Sequence, residues 1–166
     1  TSYAWVYAGL DDSAPYQVFY WSLMRTHAVV DAHLATYTGT IVGDAYDGYT
    51  SIAQRTAGRV NHSGCNTHAR RGFTDAESEE PILSARAISF YAQLYAIEDR
   101  GKTLSVEERL QLRQREATRV WDHFESWLRN TAAAEGLPQG QFSKAVHYVL
   151  NHLESLKRYL TDGRIP

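Results

Sequence analysis

The chain has 166 residues, 43% of them hydrophobic and 12% aromatic, enough apolar material for one sizeable core and a helical appendage. Its 17 Lys and Arg against 19 Asp and Glu give a net charge of −2, which excludes a general attraction to polyanions and leaves any nucleic-acid contact to local basic clusters. The single cysteine excludes an intrachain disulfide, and no apolar run approaches the roughly 20 residues of a membrane-spanning helix. The start Thr1-Ser-Tyr-Ala-Trp5 has neither an initiator Met nor a signal-peptide layout, so the expectation is a piece of a longer polypeptide.

Tyr3 to Ala8 and Tyr16 to Trp21 are aromatic and β-branched runs separated by turn chemistry at Gly9 to Pro15, which predicts an antiparallel hairpin. Thr26 can cap a helix with Val29, Val30, Leu34 and Tyr37 on one face, ending near Gly39. Thr40, Ile41 and Val42 then read as a short buried strand, and Gly43 lets Asp44 emerge at its carboxyl end. Strand 16–21, helix 26–37 and strand 40–43 are compatible with a right-handed crossover unit. A short helix over 51–56 and a weak strand over 59–63 follow.

From residue 74 onward the period changes from two to about 3.6 and strand signals disappear, so the second half is predicted helical. Ile82, Ala85, Ile88, Ala92, Tyr95 and Ala96 make one stripe, and Ser105 with Glu108 makes a capping box that opens a helix carrying Trp121, Phe124, Trp127 and Leu128. Gly136 to Gly140 is a break, and Phe142, Val146, Val149, Leu153, Leu156 and Leu160 predict a final amphipathic helix. Arg109, Arg113 and Arg115, interleaved with Glu107, Glu108 and Glu116, read as a salt-bridged exposed face.

The residues that could carry chemistry cluster between Gly39 and Arg71. A carboxylate at the carboxyl end of a strand stands where open α/β sheets bind ligands, although Asp44 could equally open a turn or cap the helix after it. Tyr46 and Tyr49 flank Asp47 and Gly48 and would pack or stack beside it. His62, Cys65 and His68 give three potential zinc ligands, but no fourth is visible, so zinc is not expected and a thiol beside a hydrogen-bonded histidine fits better. Arg70 and Arg71 suit phosphate oxygens, and suit a solvated helix surface equally well.

Five segments in order, Asp44-Ala-Tyr-Asp-Gly-Tyr49, Gly64-Cys-Asn-Thr-His-Ala-Arg-Arg71, Leu94-Tyr-Ala-Ile-Glu98, Leu104 to Gln114 and Asp162-Gly-Arg-Ile-Pro166, resemble landmarks of the insertion sequence 66 family of transposases. Asn66 and Gly72 depart from that pattern, where an aromatic and a basic residue are usual. The resemblance implies an α/β (α+β) fold: a partial RNase H-like mixed sheet over 1–73, then an all-helical insertion over 74–166 leading to the last acidic residue. It implies a DDE-type enzyme that cleaves and transfers DNA strands with Mg²⁺ (or Mn²⁺), as a homo-oligomer on transposon ends and target, in the bacterial cytoplasm near the nucleoid and not in a membrane. Asp44 would be one of three catalytic, metal-binding carboxylates, the other two lying outside this chain. Tyr46, Tyr49, Cys65 and His68 would shape the active site or serve structurally, and Arg70 and Arg71 would contact DNA. The strand bearing the first carboxylate would lie between strands 3–8 and 40–43, so a gapped or rearranged sheet is expected without it. A noncatalytic assembly module derived from a transposase is the alternative.

Overall fold

A computed structural model describes residues 2–9, 15–134 and 139–166. The centre of the hairpin turn and most of the Gly136 to Gly140 break lie outside the described residues. Strand β1 (Tyr3–Gly9) pairs antiparallel with β2 (Tyr16–Ser22), with Tyr3 opposite Ser22 and Gly9 opposite Tyr16. After helix α1 (His27–His33), strand β3 (Gly39–Gly43) pairs in parallel with β4 (Val60–Gly64), through the short helices α2 (Asp47–Thr50) and α3 (Ile52–Arg55).

The two strand pairs are separate sheets, so β1 and β3 each keep one edge free of a strand partner among the described residues. The proposed crossover from β2 to β3 within one sheet is therefore not formed; β3 finds its parallel partner in β4 instead. Helix α1 is also shorter than its apolar spacing suggested, because Leu34 leaves helical geometry and Tyr37 is exposed. Trp5, Val29, Val30, Leu34, Ile52 and Val60 nevertheless share one buried cluster, to which β1, α1, α3 and β4 all contribute.

The helical part has its own core. Helices α4 (Asn66–Asp75), α5 (Pro81–Gly101), α6 (Val106–Leu112), α7 (Thr118–Ala133), α8 (Gln141–Asn151) and α9 (Leu153–Lys157) surround Phe73, Tyr91, Trp121, Phe124, Phe142 and Leu156. The protein is thus mixed α+β with a helical part, as expected. Helix α5, opened by Pro81 in its first turn, does not bury the predicted stripe: it buries Ala87, Phe90, Tyr91, Leu94 and Ile97, and Ile82 is 83% exposed. Turning Phe90 and Tyr91 inward removes far more apolar area from water than burying Ala85, Ala92 and Ala96 would.

The capping box at Ser105 forms as read: Ser105 Oγ accepts from the Glu108 amide at 3.2 Å and Glu108 Oε2 accepts from the Ser105 amide at 3.0 Å. The helix it opens is interrupted by a π-helical turn at Arg113–Ala117, and the last helix is broken at His152 before a 3₁₀ turn at Arg158–Thr161. Arg113 is buried and Arg109, one turn earlier and half-buried, donates to the Gly101 and Gly163 carbonyls, so neither lies on the exposed salt-bridged face that was expected.

The two parts meet where β4 ends. Ser63 Oγ donates to the Ser155 carbonyl at 3.4 Å and Asn66 Nδ2 to the Leu156 carbonyl at 3.1 Å. Gly64 permits this approach: a Cβ there would stand 3.0 Å from Leu156 Cδ2. Gly72, the departure noted in α4, lets α8 come close, since a Cβ on it would lie 3.1 Å from that of Ala145.

Candidate active site

The parallel pairing of β3 and β4 brings the chemistry-bearing segments to one edge. The ladder ends with Gly43 opposite Gly64, and the Cys65 amide donates to the Gly43 carbonyl at 2.7 Å, so Asp44 and Cys65 leave the strands side by side. Asp44 is half-buried, and its Oδ1 accepts from the Tyr46 amide at 3.1 Å, an Asx turn that fixes the carboxylate.

Tyr46 is tied down twice: its hydroxyl donates to the Arg25 carbonyl at 2.9 Å, and the Arg25 guanidinium lies 4.5 Å from its ring centre. Asp47 is exposed and paired with His27 at 2.7 Å, so it faces α1. Arg55 holds the same loop from behind, donating to both oxygens of Asp31 and to the Gly48 carbonyl. Tyr49 packs edge-on to Trp5 and Tyr46 and stacks on His62, 6.2 Å between ring centres. Burial pushes the Tyr49 phenol up, and the nearby Asp44 charge adds to the rise.

His62 is buried, with Nε2 3.3 Å from the Gly43 carbonyl and Nδ1 without a partner. Burial pushes its imidazole below the ordinary value, against the pull of the Gly43 carbonyl and the Asp44 charge. The neutral ring donates from Nε2 to the carbonyl just before Asp44. Cys65 is half-buried and free, and forms the N-cap position of α4. His68, by contrast, is exposed, because α4 turns Ala69 and Phe73 inward and His68 lies off that stripe. Among the described residues no group of three or more His, Cys, Asp or Glu side chains is close enough to hold a metal ion. Arg70 is half-buried and Arg71 exposed, and neither is in an ion pair among the described residues.

Sequence reasoning missed Tyr148 on α8. Burial pushes its phenol up, the nearby Ala45 backbone works against that, and the Asp44 carboxylate adds to the rise. Its ring packs on His152 at 4.8 Å. The only signal was an apolar stripe on which Tyr148 is one position off, and nothing local links it to a loop a hundred residues earlier.

The arrangement is that of an α+β protein with a fixed carboxylate at the carboxyl end of a parallel strand, framed by aromatic rings and backed by a helical domain. The chain belongs to the IS66 family of transposases, whose model matches residues 1–166. Among curated proteins it is similar to three uncharacterized proteins of Sinorhizobium fredii (strain NBRC 101917 / NGR234). It is 29% identical to y4qI over 99% of this chain and 33% of that protein, 28% to y4hP over 91% and 30%, and 30% to y4jD over 92% and 31%. The chain therefore spans about a third of the length of these relatives. No solved structure matches it. None of its helices is long and apolar enough to cross a membrane, among the described residues.

Proposed function

We propose that this chain forms part of the catalytic domain of a DNA transposase, with Asp44 as one carboxylate of a DDE set on an RNase H-like sheet. The observation that carries the reading is the position of Asp44: held by the Tyr46 amide just past β3, next to the β4 end, on a strand whose other edge has no partner. A further strand of the polypeptide between β1 and β3 would satisfy both free edges and bring a second carboxylate to the same end.

One carboxylate does not make a site for Mg²⁺ or Mn²⁺, which take several oxygen ligands, so the described residues alone do not fit the ion. In this reading the rest of the polypeptide supplies the missing carboxylates. The residues of this chain then have separable tasks. Asp44 presents a fixed anionic oxygen, Tyr46 and Tyr49 keep its loop from collapsing into the sheet, and Cys65 anchors the start of α4. Arg70, Arg71 and the exposed His68 offer donors to the DNA backbone beside it. DNA is the partner, as transposon end and target, and the working form is a homo-oligomer on DNA in the bacterial cytoplasm.

The test uses the full-length protein and end-labelled DNA carrying its element's ends. Asp44→Asn should abolish divalent-ion-dependent strand cleavage while DNA binding persists. Cleavage at the wild-type rate removes Asp44 from the reaction and favours a noncatalytic assembly role.

A further inference from the structure

An open groove of about 460 Å³ runs between α5 and α7 on the helical part, outside the Asp44 loop. Its two walls carry the same spacing: Arg86, Ser89 and Gln93 on α5, His123, Ser126 and Asn130 on α7, each i, i+3, i+7 and therefore one continuous stripe per helix. The floor is Phe90 and Trp127, 5.9 Å apart, with the Arg86 guanidinium 5.3 Å from the Phe90 ring centre.

No carboxylate lines this groove, although acids outnumber bases in the chain by 19 to 17. Of the acids on α7, Glu125 pairs with Arg129 and Lys157, and Asp122 lies 3.8 Å from Lys157. Arg86 has no ion-pair partner among the described residues, so its charge is free for a ligand. Neither stripe serves the core, because all six polar residues are exposed.

We propose that this groove binds the sugar–phosphate backbone of DNA, as a contact separate from the Asp44 end. The groove carries one unpaired cation and no carboxylate; Ser89 Oγ and Gln93 Nε2 bond the Arg86 and Ser89 carbonyls, which leaves Arg86, His123, Ser126 and Asn130 as the donors that suit phosphate and sugar oxygens. Arg86 to Gln93 spans about 10 Å of helix, room for about one or two successive phosphates of one strand. Trp127, half-buried, offers an apolar surface to the deoxyribose. With a single cation and neutral donors, the groove holds DNA without reading sequence.

The inference takes its partner from the transposase reading, and the experiment separates the two. Full-length protein is titrated against fluorescent duplex DNA of random sequence over a series of salt concentrations. Arg86→Gln should raise Kd about five- to tenfold for every sequence and reduce the salt slope by about one, and Gln93→Glu should weaken binding further. Because both side chains are exposed, the variants should melt at the wild-type temperature. Wild-type-like Kd and slope in both variants overturn the groove while leaving the transposase reading standing. Absence of DNA binding by the wild type overturns both. A poly-glutamate peptide that binds the groove as tightly as DNA, in an Arg86-dependent way, replaces DNA with a protein partner and also overturns the proposal.

Discussion

Arg113 and Glu98 form a closed ion pair inside the helical part: Nε and Nη2 of Arg113 donate to the Glu98 carboxylate at 2.6–3.2 Å, while Nη1 donates to the carbonyls of Tyr159 and Asp162 at 3.1 and 3.0 Å. The guanidinium also lies 5.0 Å from the centre of the Tyr159 ring, whose hydroxyl accepts from Trp121 Nε1. One buried cation thus ties α5, the π turn and the C-terminal segment together. Removing the carboxylate leaves that cation unpaired, and replacing Arg113 as well would orphan the Tyr159 and Asp162 carbonyls. Glu98→Ala should therefore cost about 3 kcal/mol, and Glu98→Gln, whose amide oxygen can still accept from the guanidinium, distinctly less. Urea unfolding of the two variants measures this; a Glu98→Gln variant less stable than Glu98→Ala would contradict it.

The same region shows what the sequence could carry and what it could not. The capping box was legible because its two partners are three residues apart and both bonds are local. So were β1, β2 and β3, with their β-branched and aromatic runs, while β4, with Val60 its one β-branched residue, read only as a weak strand over 59–63. Arg113 and Arg109 were not, because the neighbouring glutamates suggest surface ion pairs, whereas their partners are Glu98 and backbone carbonyls of Gly101, Tyr159, Asp162 and Gly163, all distant in sequence or outside the helix. The α5 face failed for a related reason: alanines recur on several faces, and only contacts with Phe73 and Phe124 from other helices select the buried one. At the site, the position of Asp44 past β3 was legible from the strand end, its proposed role came from the family resemblance, and Tyr148 needed tertiary structure.

Ser105→Ala tests the legible part. It deletes the acceptor for the Glu108 amide at an exposed helix start, so the loss should be about 1 kcal/mol, within the range of cap deletions. Thermal melting should register a few degrees. A loss below a few tenths would mean that water replaces the cap without penalty.

The histidine at the strand junction sets a pH dependence. Burial lowers the folded pKa of His62 below 6.5, so the native state binds fewer protons than the unfolded chain once the pH drops under that value. Stability contributed by the neutral ring is complete above pH 6.5 and is lost as the pH falls toward the folded pKa. His152, also pushed down by burial, acts with the same sign. Asp44 facing His62 opposes the effect and Arg158 reinforces it. Melting temperature should fall between pH 7 and pH 5, and His62→Gln, which cannot take up the proton, should flatten that slope. An unchanged slope in His62→Gln would place the dependence on other groups.

Gly64 couples the helical part to the site. Gly64→Ala puts a methyl 3.0 Å from both Leu156 Cδ2 and Ser155 Oγ, so α9 must move away from β4. The cost should be about 1–3 kcal/mol, the usual range for overpacking. Because Cys65 leaves the same strand end and bonds the Gly43 carbonyl, under the proposed function the full-length variant should also cleave DNA more slowly than its stability loss explains. Hydrogen exchange at the Cys65 amide should rise with it; protection equal to wild type would confine the damage to α9.

Asp44 itself can be split into a structural and a chemical part. Its Oδ1 holds the Tyr46 amide, and an Asn side chain keeps an oxygen there, so Asp44→Asn should change stability by less than about 0.5 kcal/mol. Asp44→Ala deletes the acceptor and should cost about 1 kcal/mol, since the half-buried Tyr46 amide must turn to water. If the carboxylate serves cleavage, both variants of the full-length protein lose it equally despite their different stabilities. If Asp44 only shapes the turn, Asn retains activity and Ala alone loses it. Measuring urea unfolding and strand cleavage on the same two preparations decides between a charge requirement and a turn requirement at this one residue.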